Sequence, residues 1–213
     1  SVLPDILDFP TFMRTFTSLQ NKKAPGPDAM PNELLKMLPP SFRQALHSLL
    51  CILWLTGLTP RAWKESTTSL LYKRDDPLVL PNRRPIGLGR TLFKLYTLFV
   101  CHSLTRFADT YQIFTDSQGG GLPRRSTVQQ LQRMVMAIED AAWSQSDLYV
   151  MYVDFTCAFN TISHAALFQV MQDLGFPADA VAAVRDMYTE NRTRVQVGDL
   201  GLTPPIPIKR GTI

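Results

Sequence analysis

The stretch from Leu148 to Phe155, LYVMYVDF, limits the fold more than any other part of the chain. Its residues are β-branched, aromatic or apolar at odd and even positions alike, so neither face of a strand built from them favours water. Such a strand is expected at the centre of a sheet covered on both sides. It delivers one aspartate, Asp154, and then breaks into small and polar residues, TCAFNTIS. A carboxylate where a central strand ends sits at a sheet rim, held rigidly yet able to meet solvent. That position suits Mg²⁺, which takes few carboxylates, several waters and substrate phosphate oxygens. It equally suits a turn or cap former assisted by Thr156 and Asn160. The residues alone leave both readings open. Phe159, five positions on, is either a core aromatic or a wall beside whatever Asp154 binds.

Around that strand the patterning is mostly helical. Residues 5–20 form a short amphipathic helix with Ile6, Leu7, Phe9, Phe12, Phe16 and Leu19 as its apolar set. A proline-stiffened loop, KKAPGPDAMP, leads into a helical region over 31–57 that is interrupted near PPS and closed by Gly57. Residues 66–73 have strand composition, and 74–89 read as loop with extended pieces, because a residue before proline avoids the helical region. A helix follows over 90–111. After SQGGGLPRRS, Ser126 or Thr127 caps another to about 143. Ser163 caps a helix reaching Leu174, which Gly175 ends, and Pro177 opens one to about 190. RTRVQVGD and PIPIKRG flank GDLGLTPP as a hairpin. Helices first, then strands mixed with helices, is an α+β order rather than a βαβ repeat.

Composition narrows the chemistry. Of 213 residues, 45% are hydrophobic, so a sizeable core is available. The net charge is +4, which permits an anionic partner without demanding one. Between Arg61 and Lys94 the bases Arg61, Lys64, Lys73, Arg74, Arg83, Arg84, Arg90 and Lys94 face only Glu65, Asp75 and Asp76, a local +5. Arginines on a proline-fixed loop present planar donors to phosphate, or form a solvated basic surface. Cys51, Cys101 and Cys157 are far apart, with no zinc-ligand spacing, and read as reduced, partly buried thiols. The most apolar stretch, LHSLLCILWLTGL, is too short for a bilayer and reads as a core helix. His164 reads as surface or cap, and His47 and His102 carry no assigned chemistry. Both ends of the chain read as cut from something longer.

Five segments then appear in order over residues 20–213: KKAPGPDAMPNELLK, RRPIGLGRTLFKLYTLFVCHSL, QGGGLPRRSTVQQLQ, YVDFTCAFNTISHAALFQVMQDLGF and VQVGDLGLTPPIPIKRG. Together they resemble the reverse transcriptase domain of non-LTR (LINE-type) retrotransposons. The resemblance implies an α+β fragment of a right-hand polymerase, mostly helical with a partial antiparallel palm sheet. It implies fingers over 1–145 and the first part of the palm over 146–213. The implied activity is RNA-directed DNA polymerisation with Mg²⁺ (or Mn²⁺), an RNA template, a DNA primer and dNTP as partners, no membrane, and an intracellular place in nucleus or cytoplasm.

Residue by residue, Asp154 matches the first metal-binding carboxylate, and the backbone carbonyl of Phe155 would help hold the metal. Phe159 matches the aromatic gate that packs where a ribose 2′-hydroxyl would lie. Lys73 and Arg84 match bases that grip the incoming triphosphate. Gln118, Gly120, Arg125 and Ser126 match a family-typical segment near template or palm, with Gln118 and Arg125 as nucleic-acid contacts. Lys209, Arg210 and Gly211 begin the segment against the nucleotide and template base. The chain departs from the family at Asn160, where aspartate is usual, at Gly121, Leu122 and Arg124, and at Ile213, where arginine is expected. The paired aspartates of the next palm strand are not in the sequence, so this piece is not expected to polymerise alone. The alternative implied is a nucleic-acid-binding remnant without catalysis.

Overall fold

The computed structural model describes residues 7–76 and 79–212. The first helix, α1 (Phe9–Ser18), starts where Asp8 accepts a hydrogen bond from the Thr11 amide, so a side chain satisfies one of the free N–H groups of the first turn. Asp5 and Ile6 of the expected helix lie outside the described residues. Two helices, α2 (Asn32–Lys36) and α3 (Pro40–Thr56), fill the expected region, broken at the prolines and closed by Gly57 in the left-handed conformation. The long α4 (Thr91–Thr110) follows, and then α5 (Thr127–Trp143), where Ser126 and Gln129 form a reciprocal capping box. A single turn, α6 (Ala158–Thr161), precedes α7 (His164–Asp173) and α8 (Ala178–Tyr188).

The α+β class expected holds: helices dominate and the sheet has four strands, β1 (Glu65–Tyr72), β2 (Arg83–Gly89), β3 (Arg192–Gln196) and β4 (Ile206–Pro207). Their order is β2-β1-β3-β4. β1 and β2 pair antiparallel from Ser66↔Gly89 to Tyr72↔Arg83, β1 and β3 pair parallel, and β3 and β4 close as the expected hairpin. Part of the segment read as loop is therefore a strand. Pro85 fits there because β2 is an edge, where a missing N–H breaks no ladder bond.

LYVMYVDF is the correction. From 146 to 155 the chain has neither helix nor sheet pairing, and its side chains face solvent: Tyr149 is 89% and Met151 84% exposed. A two-sided apolar pattern says that a segment needs partners on both edges and cover on both faces. No described residue of its own unit, 105–158, pairs with it in a sheet.

The chain divides into two units. The first takes in 1–104 and 159–213. Its core joins Phe12 and Phe16 of α1, Leu46, Leu50 and Trp54 of α3, and Phe93, Tyr96 and Phe99 of α4. The ring of Phe12 meets that of Phe99 edge-on at 5.9 Å. Burial pushes the Tyr96 hydroxyl well above the ordinary phenol range, with the Asp186 carboxylate adding to the effect. A second cluster packs Phe168 and Met171 of α7 against Val181 of α8. The second unit, 105–158, contains the end of α4, a turn, α5 and the extended segment. No described residue of α5 is buried, and its apolar stripe at Val128, Leu131, Val135 and Ile138 is exposed. The Tyr152 hydroxyl points to the Met134 sulfur at 3.5 Å. No described helix is long and apolar enough to cross a membrane.

Candidate functional site

The proline loop before α2 sets the frame of the first unit. Gly26 approaches the end of β2 so closely that a Cβ on it would lie 2.2 Å from the Gly89 carbonyl oxygen. Two residues on, the Asp28 carboxylate accepts from the Thr91 amide at 2.8 Å, and the Thr91 hydroxyl donates to the Met30 carbonyl. An acid 63 residues away thus caps α4. The turn from β2 into α4 is fixed from both sides.

On the sheet, alternation separates two faces. One face, with Thr68, Leu70, Val195 and Ile206, lines a cleft of about 640 Å³. Asn160, Arg210 and Gly211 stand at the same cleft. Asn191, 3% exposed, also lines it. Its amide nitrogen donates to the Met187 carbonyl, while its Oδ1 has no protein partner. The opposite face carries Arg84, paired with Leu71, and Arg192 and Arg194 of β3. The Lys73 amide donates to the Asn82 carbonyl at 2.9 Å, so the ladder continues past β1 and alternation places Lys73 on the Arg84 face. Lys73 and Arg84 are both exposed. The family resemblance singled out these two among the eight bases counted along the sequence. It missed Arg192 and Arg194, which sheet pairing brings to the same face.

Lys64, another base of that run, is not on the surface. It is 8% exposed and its Nζ donates to Asp186 Oδ1 at 2.9 Å, while the Thr59 amide donates to the other oxygen at 2.6 Å. Burial pushes the Asp186 carboxyl up, but the hydrogen bonds from Thr59 and Lys64 and the lysine charge outweigh it and hold it below the usual carboxylate range.

Phe159 and the Lys209–Gly211 segment are brought together. The Thr212 amide donates to the Phe159 carbonyl at 2.9 Å, and the Gly211 amide to the Ile162 carbonyl at 2.9 Å. Ser163 and Arg210 pair as an isolated antiparallel bridge. His164, read as surface or cap, instead donates through Nε2 to the Gly211 carbonyl at 2.9 Å. Ser163 holds the cap position of α7, but its side chain makes no cap bond. The ring of Phe159 is 74% exposed.

Asp154, Phe155, Gln118 and Arg125 belong to the second unit. Asp154 and Phe155 are exposed on the extended segment, and Cys157 next to them turns the chain with a φ of 53°. Arg125 ties up the preceding turn: its guanidinium donates to the carbonyls of Thr115 at 2.7 Å and Gln118 at 2.9 Å and pairs with Asp116. The Gln118 amide nitrogen donates to the Gly120 carbonyl. Arg124 pairs with Asp109 at 2.7 Å, and Arg133 donates to the Asp116 carbonyl. None of the three cysteines is in a disulfide; Cys101 and Cys157 are exposed, not partly buried. Among the described residues no three His, Cys, Asp or Glu side chains cluster as a metal site.

No protein-family model matches the chain. Curated proteins do. A probable RNA-directed DNA polymerase from transposon BS of Drosophila melanogaster is 28% identical over 181 residues, 84% of this chain and 20% of that protein. The probable RNA-directed DNA polymerase from transposon X-element of the same fly is 30% identical over 162 residues, 74% of this chain and 18% of that protein. The retrovirus-related Pol polyprotein from type-1 retrotransposable element R2 of Bradysia coprophila is 24% identical over 179 residues, 83% and 19%. The chain spans about a fifth of the length of these relatives. Over most of its own length, the chain resembles the reverse transcriptase domain of non-LTR retrotransposons.

Proposed function

We propose that this chain is part of an RNA-directed DNA polymerase of a non-LTR retroelement, with the fingers over 1–145 and the beginning of the palm over 146–213. The observation that carries the reading is the similarity to proteins of that name over most of the chain. In this reading an RNA template, a DNA primer and dNTP are the partners, and the protein works where nucleic acid is, in nucleus or cytoplasm. Lys73 and Arg84, exposed on one face of the hairpin, grip the triphosphate as charge-assisted donors. Phe159 excludes a ribose 2′-hydroxyl by bulk. Lys209 and Arg210 contact nucleotide and template. Gln118 and Arg125 shape the turn that meets nucleic acid, since the guanidinium is already engaged within that turn.

Asp154 and the Phe155 carbonyl are hard oxygen donors of the kind Mg²⁺ takes, and they would hold it in part. When bound, divalent cations activate the primer hydroxyl and stabilise charge on the transferred phosphoryl group. One carboxylate does not complete such a site, so this chain by itself does not polymerise. The test is Asp154→Ala in the full-length protein that carries this sequence. Metal-dependent dNTP incorporation should disappear while template binding and folding persist. Retained incorporation would show that Asp154 is not the ligand. Template binding with no incorporation in the unmutated protein would favour the non-catalytic remnant.

A further inference from the structure

We propose that His164 is a positioning residue for the nucleotide gate: the bond from its Nε2–H to the Gly211 carbonyl holds the Arg210–Thr212 segment against Phe159 and so fixes where the Phe159 ring stands. The inference rests on the polymerase reading for the meaning of the gate, but its geometry does not. The ring of Phe159 is 74% exposed, so side-chain packing does not hold it. What holds it is its backbone, whose carbonyl accepts from the Thr212 amide at 2.9 Å. That bond is only as firm as the segment donating it.

The segment has two further anchors on the same side. The Gly211 amide donates to the Ile162 carbonyl, and the Gly211 carbonyl accepts from His164. A carbonyl only accepts, so the imidazole must carry its proton on Nε2. The imidazole is oriented in turn by Tyr188 of α8, whose ring meets it edge-on at 4.8 Å. Tyr188 packs against the Phe168–Met171–Val181 cluster. A rigid hydrophobic cluster thus reaches the gate through one ring and one hydrogen bond. Gly211 has no side chain to hold the segment by other means, and its φ of 89° admits few others.

The test uses the full-length protein with His164→Phe, which keeps the ring contact with Tyr188 and loses the donor, and His164→Gln, which keeps an N–H donor. Single-nucleotide incorporation and amide hydrogen exchange are both read. In H164F the preference for dNTP over rNTP should fall about tenfold, with KM for dNTP raised and kcat little changed, as expected for one lost hydrogen bond. Exchange at the Gly211 and Thr212 amides should quicken by a similar factor. H164Q should restore both. If H164F matches the unmutated protein in discrimination and exchange, or H164Q fails as H164F does, the proposal is wrong. Should the unmutated protein incorporate no nucleotide, the polymerase reading falls, and exchange at the two amides alone decides whether His164 pins the segment.

Discussion

Gly211 passes Asn160 so closely that a Cβ on Gly211 would stand 3.0 Å from the Asn160 Cα and 3.1 Å from its carbonyl oxygen. Both neighbours are backbone atoms, which cannot rotate away, and the left-handed φ of 89° adds strain for any L side chain. Gly211→Ala should therefore destabilise by about 2 kcal/mol, the usual scale of such backbone strain. Denaturant unfolding checks it. A change below about 0.5 kcal/mol, ordinary surface-mutation scatter, would mean the close approach is not present in solution.

At the other end of the first unit Gly26 is not in the left-handed region, so its requirement is pure proximity: a Cβ would lie 2.2 Å from the Gly89 oxygen and 2.9 Å from the Arg90 amide. Gly26→Ala should force β2 and the start of α4 apart. Its loss should clearly exceed that of Asp28→Ala, which removes one helix cap and costs about 1 kcal/mol. Thermal unfolding of the two variants side by side gives the ranking, and equal losses would contradict the contact.

These two close approaches, made between residues far apart in the chain, lie beyond what the sequence makes legible. Signals confined to a few residues read correctly: Ser126 with Gln129 starts α5, Gly57 ends α3, and the β3–β4 turn was visible as a hairpin. Each is decided by neighbours in the chain. The bonds that hold the candidate site span far more: 47 residues from His164 to Gly211, 63 from Asp28 to Thr91, 122 from Lys64 to Asp186. Nothing in a local pattern names such partners, so His164 looked like a cap and Lys64 like a surface base. The same physics explains Leu148–Phe155. Its composition states a need for sheet partners without stating where they are.

The Lys64–Asp186 pair gives a pH prediction. Asp186 has its pKa lowered in the folded protein, so it contributes stability that is present above the ordinary carboxylate pKa of about 4 and is lost as pH falls through the lowered folded value. Asp186→Asn should flatten that acid limb. It should also cost about 3 kcal/mol at neutral pH, because it leaves the buried Lys64 without a counter-charge. Replacing both partners, Lys64→Met with Asp186→Leu, should recover most of the loss. Stability measured from pH 7 down to 2 checks this, and an unchanged acid limb in Asp186→Asn would sink it.

Phe159 offers the sharpest functional prediction. Its ring is exposed and its backbone is tied to Thr212, so truncation removes bulk at the proposed gate without opening a core cavity. Phe159→Ala should leave stability within about 0.5 kcal/mol, as for other exposed positions. The full-length variant should accept rNTP far better, lowering discrimination by about a hundredfold, the scale at which a pocket wall rejects a slightly larger substrate. Incorporation of dNTP should persist, because the proposed triphosphate and metal contacts of Lys73, Arg84 and Asp154 are untouched. Phe159→Tyr should keep the discrimination, since the bulk remains. Steady-state incorporation of matched dNTP and rNTP on one RNA template reads both variants against the unmutated protein. If Phe159→Ala discriminates as well as the unmutated protein, the ring is not the wall that excludes the 2′-hydroxyl, and the gate must be sought elsewhere along the cleft beside Asn160.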